Sequence, residues 1–261
     1  MRLTLALLLG SPLLALAQPP ATRSTEDIIE TLRKNVSEPG LIGDLAKRSY
    51  DPRVIPALRD LFGRAKETGA MDALGVNPVA QQIALVLIKL GVKDDVYLNE
   101  VLGSARDAIA ADPPLPLLAD ARGKEDPERR NPAFEEWCAS RALEWNQCAR
   151  RMTGYIGAVG LLGDIRDKDA VDVLRQALKA SSYLMVLSAA GGLATLNDTG
   201  SIPLIAEACA RFPELQAGFI AVSVTQFDDP VVQILFERFI KDPELREAAK
   251  KEWRAKHSKQ Q

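Results

Sequence analysis

The sequence predicts an all-α fold, an α-solenoid in which helix pairs stack side by side. The first observation is an internal repeat. Within residues 153–211, an apolar segment of small residues, an Asp-containing turn and a segment stepped with Leu, Ile and Val occur once and then recur. The second is the period, since Val171 and Ile202 are 31 positions apart and Ile202 and Val232 are 30 positions apart. Periods of this size indicate stacked units that bury their apolar faces against neighbouring units.

The third observation is that three segments contain no charged residue. Each of them precedes a segment stepped with Leu, Ile and Val, which we expect to be the outer helix of a pair. Residues 153–163, 183–196 and 217–225 contain no Asp, Glu, Lys or Arg and are rich in Ala, Gly and Ser. We expect them to be inner helices enclosed by their neighbours, because a helix that lacks a polar face is normally buried. Gly160 and Gly163 belong to a run of glycines at three-residue spacing, which predicts a close contact between helices.

The N-terminal residues 1–17 have the pattern of a cleavable secretory signal peptide. Arg2 precedes an uncharged, Leu-rich core at residues 3–16, and an Ala-Leu-Ala sequence ends at Ala17. The alternative is an uncleaved membrane anchor, which needs roughly 20 apolar residues, whereas Pro12 interrupts this short core. The prediction is a secreted or periplasmic protein with no stable membrane anchor after cleavage.

Residues 18–50 are predicted to be an N-terminal leader followed by capping helices. The first helix is expected to begin at Ser24 or Thr25, where a hydroxyl can cap it, and to end near Val36. A Glu-Pro-Gly sequence then stops it. A second, weak helix is expected over residues 41–48.

The repeat array is predicted over residues 51–242. An amphipathic outer helix after Asp51 and an inner helix over residues 79–91, uncharged apart from Lys89, form one pair. A turn at residues 91–95 then leads to a new outer helix that starts at Val96 and reaches about Ala111. The segment at residues 112–132 then interrupts the array, because its five prolines and mixed charges cannot continue a helix. Such a long insertion is either functional or disordered.

Helicity is expected to resume at Ala133 as a single helix that carries Phe134, Trp137, Arg141 and Trp145 at steps of three and four. Core packing is the favoured interpretation of this stripe, and a wall that stacks on a ligand is the alternative. The candidate partner-binding residues, all aromatic, are Trp137, Trp145, Tyr155, Tyr183 and Phe219.

Residues 243–261 are predicted to form a C-terminal capping helix and a charged tail. Few apolar residues there can pack, and a terminal repeat needs a polar outer side. The alternative is a basic tail that binds a partner.

Composition restricts the chemistry and the partners that we expect. The 33 basic and 35 acidic residues give a net charge of −2, whereas nucleic-acid binding needs a clustered excess of Lys and Arg. The one histidine, His257, lies in the charged C-terminal tail, and the three cysteines lack Cys-x-x-Cys spacing. We therefore predict no nucleic-acid partner, no metal or cofactor site and no His-dependent catalysis.

The cysteines leave one question open. Cys138 and Cys148 would lie about 15 Å apart on one continuous helix, so a disulfide between them requires the chain to fold back. In an oxidising compartment both the bridged and the free state remain open. Cys209 lies in an apolar pattern and is expected to be a small core residue.

Several segments resemble HEAT repeats, and most closely the short bacterial HEAT-like repeat. In that repeat an apolar inner helix ends in Leu-Gly and an Asp-rich turn opens the next outer helix. The matching outer and inner phrases lie at residues 51–58, 167–174, 228–235, 87–91 and 161–164.

The resemblance covers roughly residues 51–242, and the sequence departs from the pattern at residues 197–200 and 224–227. It implies a right-handed superhelix that is used mainly as an adaptor, and it supplies no catalytic residues.

The resulting hypothesis is an exported, non-enzymatic HEAT-like repeat protein that acts as a protein–protein interaction module or scaffold in the cell envelope, with a protein or peptide partner. The alternative is an enzyme or enzyme accessory that acts on cell-wall or exported-protein substrates through paired carboxylates. Adjacent pairs occur at Glu135-Glu136 and Asp228-Asp229, although helix capping and surface solvation explain them more simply.

Overall fold

Helix pairs follow one another through the part of the chain that the structure describes. The structure is a computed structural model, and it describes residues 23–38, 40–69 and 79–257. The predicted signal peptide at residues 1–17 lies outside the described residues.

The elements before and within the insertion come first in chain order. The helices are α1 (Thr25–Lys34), α2 (Leu41–Ala46), α3 (Val54–Thr68), α4 (Val79–Lys89) and α5 (Asp95–Ala111). Two short strands follow, β1 (Leu117–Ala119) and β2 (Glu125–Arg130).

The remaining elements are helical. They are α6 (Pro132–Ala139), α7 (Trp145–Gly160), α8 (Lys168–Ala177), α9 (Tyr183–Thr195), α10 (Ile202–Cys209), α11 (Glu214–Ser223), α12 (Val232–Phe239) and α13 (Pro243–His257). Short 3₁₀ helices lie at Leu161–Asp164 and Thr199–Ser201.

The helices form a stacked array of outer and inner members. The pairs are α1 with α2, α3 with α4, α5 with α7, α8 with α9, α10 with α11, and α12 with α13. The inner helices α7, α9 and α11 pack side by side, and one continuous apolar core extends from Ile28 to Ala249. The predicted all-α solenoid is confirmed, with the small two-stranded sheet of the insertion as an addition.

The first helix shows how local sequence sets a helix end. The hydroxyl of Ser24 accepts the backbone N–H of Asp27 at 3.1 Å, and the carboxylate of Asp27 accepts the backbone N–H of Ser24 at 3.1 Å. This capping box satisfies two amides that the helix leaves free. The helix begins at Thr25, as predicted, and its cap at Asn35 ends it slightly before Val36.

Two inner helices approach closely where a glycine was predicted to allow it. A Cβ atom on Gly163 would lie 2.7 Å from the Cα atom of Gly192 in α9. By contrast, a Cβ atom on Gly160 would meet its nearest atoms, those of Ser188, at an ordinary 4.0 Å. The backbone contact is therefore specific to Gly163.

Residues 133–145 do not form the single helix that was predicted. Helix α6 ends at Ala139 and α7 begins at Trp145, with a sharp reversal between them. In that reversal Ala142 has a φ of 51°, and the backbone N–H of Leu143 donates to the carbonyl of Cys138 at 3.2 Å. The reversal turns Phe134 and Trp145 towards the same cluster, which a straight helix would not allow.

Side chains join consecutive repeats where the sequence departs from the usual turn. Arg175 of α8 donates to the two carboxylate oxygens of Asp198 at 3.0 and 2.9 Å and to the hydroxyl of Ser201 at 2.9 Å. Asn197 donates to the carboxylate of Asp228 at 3.0 Å and accepts the backbone N–H of Asp228 at 3.0 Å. These charge-assisted bonds hold α8, α10 and the turn before α12 together.

Helix α13 packs against the last repeat through its C-terminal end. The indole N–H of Trp253 donates to the carbonyl of Phe227 at 2.7 Å, and Nδ1 of His257 lies 2.9 Å from Oδ1 of Asp228. His257 of the charged C-terminal segment thus has fixed surroundings, and only 13% of its side chain is exposed.

Candidate functional site

The outward sides of α7, α9 and α11 form one surface, which we call the inner surface. Its half-buried or exposed residues are Ile156, Gly160, Leu184, Ser188, Gly191, Phe219 and Ser223. Ser188 is the nearest neighbour of Gly160, and Ser223 is the nearest neighbour of Gly191, so the surface is continuous across the three helices. These residues are all apolar or small.

The inner surface carries almost no charge. Residues 152–160 of α7 and the whole of α9 contain no Asp, Glu, Lys or Arg, and in α11 the only charged residue is Glu214. The hydroxyl of Ser223 donates to the carbonyl of Ile220 at 2.8 Å, within its own helix. The surface therefore offers apolar side chains for contact, with shallow depressions at the glycines, which have no side chain.

Three of the predicted aromatic residues meet at the reversal between α6 and α7. Phe134 stacks on Trp137 with ring centres 5.7 Å apart and contacts Trp145 edge-on at 5.9 Å. Tyr155 meets Trp137 edge-on at 6.3 Å. We call Phe134, Trp137, Trp145 and Tyr155 the aromatic corner. It borders the inner surface, because Leu184 and Ile156 pack against it.

Within the aromatic corner the two tryptophans differ in how they are held. Trp137 is only 9% exposed, and its indole N–H donates to the carbonyl of Ala111 at 3.1 Å. Trp145 is half-buried, and its indole nitrogen is buried without a hydrogen-bond partner. Arg141 lies over the ring of Trp137 at 4.1 Å, and Arg130 lies over that of Trp145 at 5.2 Å. Trp137 thus serves mainly in packing, and Trp145 and Tyr155 keep part of their surface exposed.

The other two predicted aromatic residues lie apart from this corner. Phe219 is half-buried on α11 and belongs to the inner surface. Tyr183 begins α9 and is only 7% exposed, so it offers a partner little ring surface. Burial, helped by the nearby carboxylate of Glu125, raises the pKa of Tyr183 to about 12.

The insertion is an ordered β-hairpin in the structure. Strands β1 and β2 are antiparallel, with Leu117 opposite Arg130 and Ala119 opposite Glu125. At the turn, Oδ1 of Asp120 accepts backbone N–H groups at 2.9 and 3.0 Å, and bonds of this kind lower the pKa of Asp120. An apolar run followed by Asp and Gly is a hairpin signal that the sequence analysis missed.

The hairpin is fixed at both ends to the inner helices. At its base, the carboxylate of Asp112 accepts the backbone N–H of Ser181 at 2.8 Å and that of Ser182 at 3.2 Å, just before α9. At its tip, the backbone N–H of Leu215 in α11 donates to the carbonyl of Arg122 at 2.8 Å. The insertion therefore runs along the N-terminal ends of α9 and α11, beside the inner surface.

A glycine is required at the hairpin tip. Gly123 has a φ of 90°, and a Cβ atom there would lie 2.8 Å from Cγ of Gln216. We expect Gly123→Ala to release the tip from α11, at a cost of about 1–2 kcal/mol for the left-handed backbone alone. Limited proteolysis should show roughly tenfold faster tryptic cleavage after Arg122. Gly103→Ala is the control, because no atom lies within 4 Å of its added Cβ. Equal cleavage rates in both variants would contradict this account.

The half-buried carboxylate of Glu125 is expected to make the stability of the hairpin depend on pH. Burial raises the pKa of Glu125, so its favourable contribution is present when it is protonated and is lost as the pH rises through the raised value. Glu125→Gln should therefore increase the free energy of unfolding at pH 7. The difference should disappear below about pH 4, where the wild-type residue is also neutral. Urea unfolding at the two pH values measures this, and a difference that persists at low pH would exclude ionisation as the cause.

A cavity of about 320 Å³ lies between the hairpin tip and the last repeats. Its basic residues are Arg122, Lys124 and Lys241, and Leu215 and Phe239 form part of its apolar lining. Sequence reasoning missed it, because the hairpin contributes residues that lie far in the chain from those of α11 and α12. Glu214 and Asp242 also line it, so the cavity combines an apolar lining with side chains of both charges.

The predicted carboxylate pairs do not form a paired site. Glu135, in the first turn of α6, lies 3.8 Å from Arg130, and both it and the following Glu136 are exposed. Asp228 is engaged by Asn197 and His257, as described above, while Asp229 accepts the backbone N–H of Val231 at 2.8 Å. Glu135, Asp228 and Asp229 thus have local structural contacts, and Glu136 is exposed.

Neither a metal centre nor a membrane span is found among the described residues. They contain no group of three or more His, Cys, Asp or Glu residues arranged to hold a metal ion. None of the helices in the described ranges has the length and apolar character needed to cross a membrane.

Comparison with known proteins identifies one repeat. The family model for the PBS lyase HEAT-like repeat matches residues 155–180, which extend from α7 through the 3₁₀ helix into α8. This match confirms the resemblance to HEAT-like repeats. Comparison with curated proteins and with solved structures gave no match.

Proposed function

Because the chain carries a HEAT-like repeat within a helical solenoid, we propose that it is a scaffold that binds a protein or peptide partner on its inner surface. HEAT-like repeats commonly mediate protein–protein interaction and are typically non-enzymatic. Stacked repeats of this kind create extended surfaces suited to such binding.

The observation that supports this proposal is the uncharged, half-exposed character of the inner surface. Apolar side chains such as Leu184 and Phe219 alternate there with Ser188 and the small Gly191. The central part of a protein interface is depleted in charge and enriched in aromatic residues, which matches this surface. A polyanion would instead need a row of Lys and Arg. A protein surface or an apolar peptide is therefore the partner that fits.

A comparison of matched variants tests this binding. Ser188→Arg places a charge on the inner surface, whereas Ile234→Arg places the same charge on an outer helix at a residue that is 62% exposed. Purified variants, checked for unchanged helicity by circular dichroism, are used to capture partners from the producing organism. A partner bound by wild type and Ile234→Arg, but at least tenfold more weakly by Ser188→Arg and Phe219→Ala, supports the proposal. Equal capture by all four proteins contradicts it.

The second part of the proposal is export to the cell envelope. It is supported by the Leu-rich segment at residues 3–16 and the Ala-Leu-Ala sequence that ends at Ala17. In a bacterial host, the mature protein should begin at Gln18 and should be released with the periplasmic or secreted fraction. Intact mass and N-terminal sequencing measure this. Protein that retains Met1 and stays in the cytoplasmic fraction would contradict export, without bearing on the binding surface.

A further inference from the structure

Cys138 and Cys148 are neighbours at the reversal between α6 and α7, and we propose that they form an intramolecular disulfide that locks the aromatic corner. The structure contains both as free thiols, which is the reduced state of the pair. The proposal concerns this chain's own covalent chemistry, and its occurrence in the cell rests on the proposed export to an oxidising compartment.

The reversal brings the two residues together. Cys138 lies near the end of α6 and Cys148 lies in the first turn of α7. The carbonyl of Cys138 accepts the backbone N–H groups of Arg141 at 3.0 Å and of Leu143 at 3.2 Å, which closes the turn tightly. A continuous helix would have separated the cysteines by about 15 Å. The fold-back that a disulfide requires is therefore present.

The two side chains share one small buried cluster. Cys138 is 4% exposed and Cys148 is fully buried, and they pack there with Phe134, Trp137 and Met152. The thiols interact directly, since a side-chain hydrogen bond with Cys148 adds to burial in raising the pKa of Cys138 to about 12. At neutral pH the thiol of Cys138 is thus protonated, and both side chains are covered, so oxidation occurs as the chain folds or when this corner opens.

The third cysteine provides a built-in comparison. Cys209 is fully buried in the main core at the end of α10, in a different cluster from Cys138 and Cys148. Burial also raises its pKa to about 12. Cys209 therefore resembles Cys138 in its burial and its raised pKa, and it differs in having no cysteine beside it in its cluster.

The reaction is thiol–disulfide exchange with a disulfide as oxidant. The thiolate of one cysteine attacks a sulfur of glutathione disulfide, or of a thiol oxidoreductase in its disulfide form, and releases one thiolate. The thiolate of the second cysteine then attacks the mixed disulfide, forms the Cys138–Cys148 bond and releases the other thiolate. The two protons lost by the cysteines are taken up by the released thiolates, so two thiols of the oxidant's reduced form are produced.

The bond would fix the border of the inner surface. It would tie the helix that carries Trp137 to the helix that carries Trp145 and Tyr155. It would also restrain the base of the hairpin, because the indole of Trp137 is bonded to the carbonyl of Ala111. We expect the oxidised chain to melt about 5 °C higher than the reduced chain, since a bond across a short loop restricts the unfolded state.

Refolding in glutathione buffers tests the proposal and avoids the problem of access to buried thiols. Wild type, Cys138→Ala, Cys148→Ala and Cys209→Ala are unfolded in urea with reductant and refolded at fixed ratios of reduced to oxidised glutathione. Free thiols are then alkylated under denaturing conditions and counted by mass. The same equilibration in urea gives the equilibrium constant for oxidation of the unfolded chain by oxidised glutathione, which we call the oxidation constant.

Wild type and Cys209→Ala should each lose two thiols, and neither Cys138→Ala nor Cys148→Ala should form an internal disulfide. The oxidation constant should be at least tenfold larger in the folded chain than in urea. An equal or smaller constant in the folded chain, or a disulfide that includes Cys209, would overturn the proposal. The test involves no partner, so its failure is separate from any failure of the proposed scaffold function.

Discussion

Gly163→Ala is expected to lower the free energy of unfolding by about 3 kcal/mol, at the upper end of the cost of overpacking. The added Cβ would lie 2.7 Å from the Cα atom of Gly192, which is backbone and cannot rotate away. The 3₁₀ helix at Leu161–Asp164, which continues from α7, would have to move away from α9. Urea unfolding followed by circular dichroism measures the change.

The control is Gly160→Ala, three residues earlier. Its Cβ would find the nearest atoms of Ser188 at 4.0 Å, so no clash arises. Removing a helical glycine should leave stability unchanged or raise it by up to about 1 kcal/mol. If the two variants lose similar stability, the close backbone contact at Gly163 is not what constrains this site.

Phe134→Ala is expected to lower the free energy of unfolding by about 3–5 kcal/mol, the usual cost of removing a buried phenylalanine. Phe134 is fully buried and contacts both Trp137 and Trp145. Because each repeat of a solenoid packs mainly on its neighbours, the damage should be local. Hydrogen exchange should show lost protection in α6 and α7 and little change in α12 and α13.

Phe134→Leu separates the loss of volume from the loss of the ring. It keeps most of the apolar contact, so we expect it to cost less than half as much as Phe134→Ala. Loss of protection spread evenly over all helices would contradict the description of the aromatic corner as a local unit.

The repeats were predictable from the sequence because their signal is local and recurs. Residues 153–211 alternate uncharged inner segments with amphipathic outer segments, and the structure places the later part of α7 and all of α8, α9 and α10 there. Glycine spacing also predicted a close helix contact, which occurs at Gly163. Side-chain burial and helix capping depend on residues within a few helical turns of one another, so the local sequence pattern predicts them directly.

The insertion and the reversal were not predictable in the same way. Five prolines correctly excluded a helix over residues 112–132, but the hairpin is held by Asp112 at α9 and by Arg122 at α11, contacts between distant parts of the chain. The reversal depends on a positive φ at Ala142, which alanine rarely adopts and its sequence does not suggest.

The candidate site was predicted in part. Trp137, Trp145 and Tyr155 do come together, and Phe219 lies on the inner surface. Tyr183 is covered, and the reason is again tertiary, because Glu125 of the hairpin lies close to it. Whether these residues contact a partner stays a prediction.

Photo-crosslinking in the producing cell tests the scaffold proposal most directly. A photoreactive phenylalanine is placed singly at Ser188 and Ser223 on the inner surface, and at Val96 and Ile234 on outer helices, where the residues are 58% and 62% exposed. The account predicts that the two inner positions form a crosslink to the same protein and that the two outer positions do not. Crosslinks only from the outer positions, or none from the inner ones, would contradict the inner surface as the binding site.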